Sequence, residues 1–101
     1  MLGFDPEDEN ECLEAVKQDG LNLSFVHDPT ERICLAAVKQ DGLALQFVKD
    51  QTPEICLEAV KNDPWALESV KNQTLEICQA ALDQNDTAIL FVKDLSMIVD
   101  E

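Results

Sequence analysis

Cysteine is the residue type whose placement in this chain comes closest to a chemical pattern, because Cys12, Cys34, Cys56 and Cys78 recur every 22 residues. Thiols can ligate metals, bridge to one another or act as nucleophiles, and each use needs a partner. A zinc site wants Cys-x-x-Cys pairs or clustered imidazoles, whereas the chain holds no such pair and one histidine, His27. No nucleophile stands beside that histidine in the sequence, so a base-activated thiol is not indicated. Equivalent cysteines on successive stacked helices would sit about 8–10 Å apart, beyond the roughly 7 Å between Cα atoms that a disulfide tolerates. The four are expected to be reduced, buried and packed as small hydrophobes.

The carboxylates offer one further pattern. Asp83, Asn85 and Thr87 fall at positions 1, 3 and 5 of a calcium loop with Asp94 at position 12. The turn glycine is replaced by Ala88 and the terminal glutamate by aspartate, so this stretch is not expected to hold a cation. With no glycine-rich phosphate loop either, the expectation is a protein without catalytic residues, cofactor or metal. Acidic side chains outnumber basic ones 21 to 7, for a formal charge of -14, which argues against direct binding to nucleic acid or an anionic membrane. No apolar run reaches the ~18 residues of a membrane span, and the N-terminus MLGFDPEDENE lacks the pattern of a secretory signal, so a cytoplasmic location is expected.

The elements that position these residues follow from the same interval. In register with the cysteines run Ala15/Ala37/Ala59/Ala81, Val16/Val38/Val60/Leu82, Leu23/Leu45/Leu67/Ile89 and Val26/Val48/Val70/Val92. Self-similarity at a fixed period marks an array of one supersecondary unit that cannot bury its apolar face alone. Thr52 before Pro53-Glu54 reads as the cap of a first helix, with Ile55, Cys56, Ala59 and Val60 forming one apolar stripe. Asp63-Pro64 then opens a second short helix whose Leu67 and Val70 face inward. Proline cannot take positive φ, so Gly20 and Gly42, which share the Pro64 column, are expected to be permissive, and Gly42→Pro to be tolerated. Lys17, Lys39 and Lys61 end first helices, and Lys49, Lys71 and Lys93 end second ones, with His27 in the latter column.

The predicted fold is all-α: a right-handed or superhelical, α-solenoid-like stack of four two-helix repeats in one domain. The units are about 8–29, 30–51, 52–73 and 74–95. A polar cap over residues 1–10 precedes them, with Asp5-Pro6 starting the first helix and Glu11 standing where later units have isoleucine. A segment over 96–101, opened by Ser96, follows either as a helical lid or as the start of a fifth repeat.

The strings ICLAAVKQDGLALQFVKD and ICLEAVKNDPWALESVKN resemble the repeat of the family known as domain of unknown function 4116, in which an AVKxxGxAL-type string recurs. The likeness runs over residues 11–94 and is looser in the fourth unit, where Leu82-Asp83 and Asp86-Thr87 depart from it. It implies an α-helical repeat fold and brings no activity, substrate or site residues.

Function is therefore sought on surfaces. Stacked helix pairs present columns free to vary, here Leu21/Leu43/Trp65/Thr87, Phe25/Phe47/Ser69/Phe91 and Ser24/Gln46/Glu68/Leu90. The expectation is a non-catalytic module binding a protein partner whose identity the sequence leaves open. Its candidate contacts are Trp65, Glu68, Gln46, Leu90, Leu95 and Met97. Trp65 either exchanges volume with the neighbouring Leu43/Phe47 pair or stands out as an anchor. The alternative is an acidic inhibitor that mimics nucleic acid in a basic groove. Leu90, Leu95 and Met97 further suggest a homodimer through the C-terminal end, since Asp5, Glu7, Asp8, Glu9 and Glu11 make the other end self-repelling.

Overall fold

The computed structural model describes residues 3–98, among which all regular structure is helical. Each unit pairs an α-helix of ten residues with a 3-10 helix of six: α1 Glu9–Gln18 with the 3-10 helix Gly20–Phe25, α2 Glu31–Gln40 with Gly42–Phe47, α3 Pro53–Asn62 with Pro64–Ser69, and α4 Leu75–Gln84 with Asp86–Phe91. A last 3-10 turn covers Leu95–Met97. Each α-helix packs on the α-helix of the next unit and each 3-10 helix of the units on its successor, giving a body of 52 × 20 × 18 Å.

Local chemistry accounts for the repeat. Thr30, Thr52 and Thr74 each accept the amide three residues on, at 3.3, 3.2 and 3.2 Å, satisfying one of the donors a helix start leaves free. The α-helices stop where Asp19, Asp41, Asp63 and Asn85 take extended φ near -150°. Those same side chains turn forward to cap the 3-10 helices, accepting from Leu21, Leu43, Trp65 and Thr87. Residues three apart eclipse in a 3-10 helix, so Leu45 with Val48 and Leu67 with Val70 share its buried face. The core is built mainly from the columns read from the sequence, all four cysteines included, joined by Ala44, Ala66 and Ala88, and among the described residues it contains no buried charged or polar residue.

Four expectations are corrected. Helix α1 starts at Glu9 with Asp8 as its cap, while Asp5 caps a separate turn by accepting from Glu7 at 2.9 Å. The final turn is capped by Asp94 instead of Ser96, which donates to it through both its amide and its hydroxyl. Ile89 does not share the burial of Leu23, Leu45 and Leu67, at 2%, 0% and 0%, but is 45% exposed among the described residues.

The fourth concerns the glycines. Neither has positive φ, as expected, yet neither is merely permissive. A Cβ on Gly20 would lie 2.4 Å from the Ala37 carbonyl oxygen, and one on Gly42 would lie 2.2 Å from that of Ala59, so the next helix has closed onto bare backbone. Gly42 also donates its amide to Asn62 at 2.6 Å, while Asn62 donates to the Lys39 carbonyl at 2.9 Å. One junction later Pro64 has no amide to offer, and Gln84 instead donates to Val60 and Ala80.

Candidate functional site

The four thiols are free and buried, and burial pushes each up from the ordinary thiol range. At Cys12 the carboxylates of Asp5, Asp8 and Glu11 add to that effect, and at Cys34 those of Asp50 and Glu31 do. Such thiols stay protonated at neutral pH and are poor nucleophiles. Three of them, all but Cys34, are also hydrogen-bonded, which the hydrophobic reading missed. Cys56 donates to Gln51 Oε1 at 3.4 Å and Cys78 to Gln73 Oε1 at 3.6 Å.

Those two glutamines are clamps between units. Gln51 Oε1 also accepts the Lys71 amide at 2.9 Å while its Nε2 donates to the Ser69 carbonyl at 2.8 Å. Gln73 repeats the arrangement with the Lys93 amide at 2.9 Å and the Phe91 carbonyl at 2.9 Å. The lysines contribute too, Lys71 Nζ donating to the Lys49 carbonyl and Lys93 Nζ to that of Val70, both at 2.9 Å. These cations therefore act past the C-terminal ends of the preceding units' 3-10 segments and not, as their column suggested, at the ends of their own. His27 lies opposite Glu7, with Nδ1 3.7 Å from Oε2, both exposed.

The 3-10 side carries a row of apolar residues that the units leave in the open. Leu21, Leu43 and Trp65 are each 38% exposed, with Phe25 and Phe47 also exposed. Trp65 meets Phe91 of the following unit edge-on at 5.1 Å between ring centroids. The candidate contacts do not form one cluster. Gln46, Glu68 and Leu90 occupy equivalent places on successive 3-10 helices, all exposed, and Gln46 further donates to the Leu43 carbonyl. Leu90 and Leu95 stand out at the C-terminal end with Ile89 and Leu75, while Met97 is half-buried against the core. The expected lid over 96–101 is described only to Ile98, and Val99 to Glu101 lie outside the described residues.

The two ends differ in chemistry as the sequence suggested. At the N-terminal end Glu11 and Asn22 replace the buried Ile33 and Ala44, and Asn22 Nδ2 covers the Ala15 carbonyl at 3.0 Å. At the C-terminal end the uncovered side chains include the apolar Ile89, Leu90 and Leu95.

Comparison with protein families finds the model described as Domain of unknown function (DUF4116) in two overlapping matches, residues 8–51 and 30–75, together more than half of the chain. The chain belongs to this family. The overlapping matches agree with a DUF4116 unit repeating, and they stop short of the fourth unit, where Leu82-Asp83 and Asp86-Thr87 depart from the string. No curated protein and no solved structure matches the chain. Among the described residues no helix is long and apolar enough to cross a membrane.

Proposed function

We propose that this DUF4116 chain is a non-catalytic protein-interaction module, a single superhelical, α-solenoid-like domain whose 3-10 side receives the partner. One observation carries the reading: Leu21, Leu43 and Trp65 stay equally exposed in three successive units while Leu23, Leu45 and Leu67, two residues on, are fully buried. A column needed only for packing would be covered like its neighbour, and a repeated apolar column left in water is what a docking surface requires. Trp65, already held by Phe91, is the anchor, since a pre-ordered aromatic loses little freedom on binding.

The test compares wild type with Trp65→Ala, and with Leu75→Ala as a control outside the row, in capture from native lysate at low and raised salt. The reading expects a partner that survives raised salt and is lost only with Trp65→Ala. Equal capture by all three proteins would contradict it.

A second reading, an acidic inhibitor that occupies a basic groove, is favoured by how little of the negative charge is neutralised. Among the described residues the ion pairs are the exposed Lys17–Glu14 contact at 3.9 Å and the His27–Glu7 contact. Capture lost steeply with salt and indifferent to Trp65 would select it.

A further inference from the structure

The amide clamp found twice in the stack has a third copy whose protein half is present and whose side chain is not. Gln51 and Gln73 each hold three groups: a thiol, the amide of a lysine and the carbonyl two residues before it. One unit earlier these groups are Cys34, Lys49 and Phe47, and the position of the glutamine is taken by Pro29. Among the described residues the Cys34 thiol, the Lys49 amide and the Phe47 carbonyl have no protein hydrogen-bond partner.

The cap segment shows what else satisfies such groups. In the first unit Cys12 donates to the Asp5 carbonyl at 3.4 Å and the His27 amide donates to the Pro6 carbonyl at 3.2 Å. Two glutamine carboxamides and one stretch of main chain thus fill three of the four copies, and amide chemistry is common to all three. The fourth copy opens into a groove of about 960 Å³ that runs over the linkers of the first three units, lined by Pro29, Cys34, Phe47 and Lys49 and bordered by Gln46. Cys34 is 5% exposed there, so its donor is buried and faces the groove.

We propose that this groove binds an extended segment of a partner protein, and that the Cys34, Phe47 and Lys49 groups hold an amide of that segment as their counterparts hold Gln51 and Gln73. The proposal rests on the interaction-module reading and names a recognition element for it. A buried donor left without a partner costs stability, so an arriving amide carbonyl is favoured by whatever desolvation that donor has already undergone. The amide has two sources, a glutamine side chain or the main chain, and the probes separate them.

The test titrates labelled protein with acetyl-Ala-Ala-Gln-Ala-Ala-amide, and with the same peptide carrying Ala or Glu at the centre, following the Lys49 amide resonance by NMR. Saturable movement of Lys49 is expected. A glutamine peptide about tenfold tighter than the alanine one assigns the side chain, and equal affinities assign the main chain. The double variant Asp28→Asn with Pro29→Gln carries the same pair as Asn72-Gln73 and should fill the site from within, abolishing the response, while Pro29→Ala should keep it. No saturable movement with any peptide, or a response unchanged in the double variant, would overturn the proposal. Loss of capture in Trp65→Ala with no peptide response would leave the interaction reading intact and remove only this groove.

Discussion

Replacing Gly42 by alanine adds a single methyl group at the tightest junction in the stack, and the sign of its effect separates two accounts of that glycine. If only φ mattered, alanine would be welcome: the φ is not positive, and the change should stabilise by about 0.4–1 kcal/mol through the unfolded chain. The geometry says otherwise. The new Cβ would stand 2.2 Å from the Ala59 carbonyl oxygen and 3.1 Å from both Cβ and N of Asp63, all of them held by α3 and its cap. None is the end of a flexible side chain, so α3 must slide. Overpacking of this kind costs about 1–3 kcal/mol, which leaves a net loss of about 1–2 kcal/mol after the unfolded-state gain. For a chain of this size that is a drop in Tm of roughly 5–15 °C. Gly42→Pro should be worse, because it also removes the amide that Asn62 accepts at 2.6 Å, and pairing it with Asn62→Gln, after the Pro64/Gln84 arrangement, should recover part of the difference. Thermal and urea unfolding of the three variants read this directly. An alanine variant as stable as wild type, or more so, would refute the close-approach argument.

Gln51→Ala should lose about 1–3 kcal/mol, because it strands the Lys71 amide, the Ser69 carbonyl and the Cys56 thiol together, whereas the exposed Gln46→Ala should be nearly neutral in the same urea titrations. All four thiols should resist a thiol reagent in native buffer and react in denaturant; Cys34→Ser should cost about 1–3 kcal/mol and Cys56→Ser less, since Gln51 Oε1 can accept the new hydroxyl. Because burial raises the folded thiols above their unfolded values, their contribution is complete below the unfolded thiol pKa of about 8.5 and is lost as pH rises through the folded ones, so Tm should fall on the alkaline side and fall less in a Cys34→Ala variant. Deleting residues 96–101 uncovers the apolar face that Met97 and Ile98 partly screen, beside exposed Ile89 and Leu90, and should raise self-association in sedimentation velocity; a deletion that stays monomeric at high concentration would rule out the C-terminal end as a self-association surface.

What was legible in the sequence is what repeats locally. Threonine and aspartate caps act within three residues of themselves, and the Ile, Cys, Ala and Val columns fall on one face by helical period alone, so the unit and its core could be read from one copy and checked against three others. The second helix was read correctly in place and in its inward pair Leu67 and Val70, although a spacing of three does not by itself distinguish a 3-10 helix from an α-helix. What was not legible depends on how closely units approach. Gly42 looked dispensable because Pro64 shares its column, yet Pro64 is half-buried where Gly42 is buried, and that junction was closed around a Cβ. The glutamine clamps join residues 18–20 apart through a column that reads Pro29, Gln51, Gln73, Leu95, and such a column looks like variable linker until the groups it meets are known. A buried cysteine followed at fixed distance by a lysine amide is the signal, with a thiol donor and a backbone donor meeting on one carboxamide oxygen. Trp65 shares a column with Leu21 and Leu43, and nothing in that column announces that its ring meets Phe91, 26 residues on.

Hydrogen exchange at the amides of Lys49, Lys71 and Lys93 tests the account most directly. All three occupy one column on exposed residues, and they differ in whether a glutamine of the preceding linker accepts from them. Stacking held by these clamps predicts slow exchange at Lys71 and Lys93 and fast exchange at Lys49 in the native protein. Equal rates at the three positions would contradict both the clamps and the open copy beside Pro29.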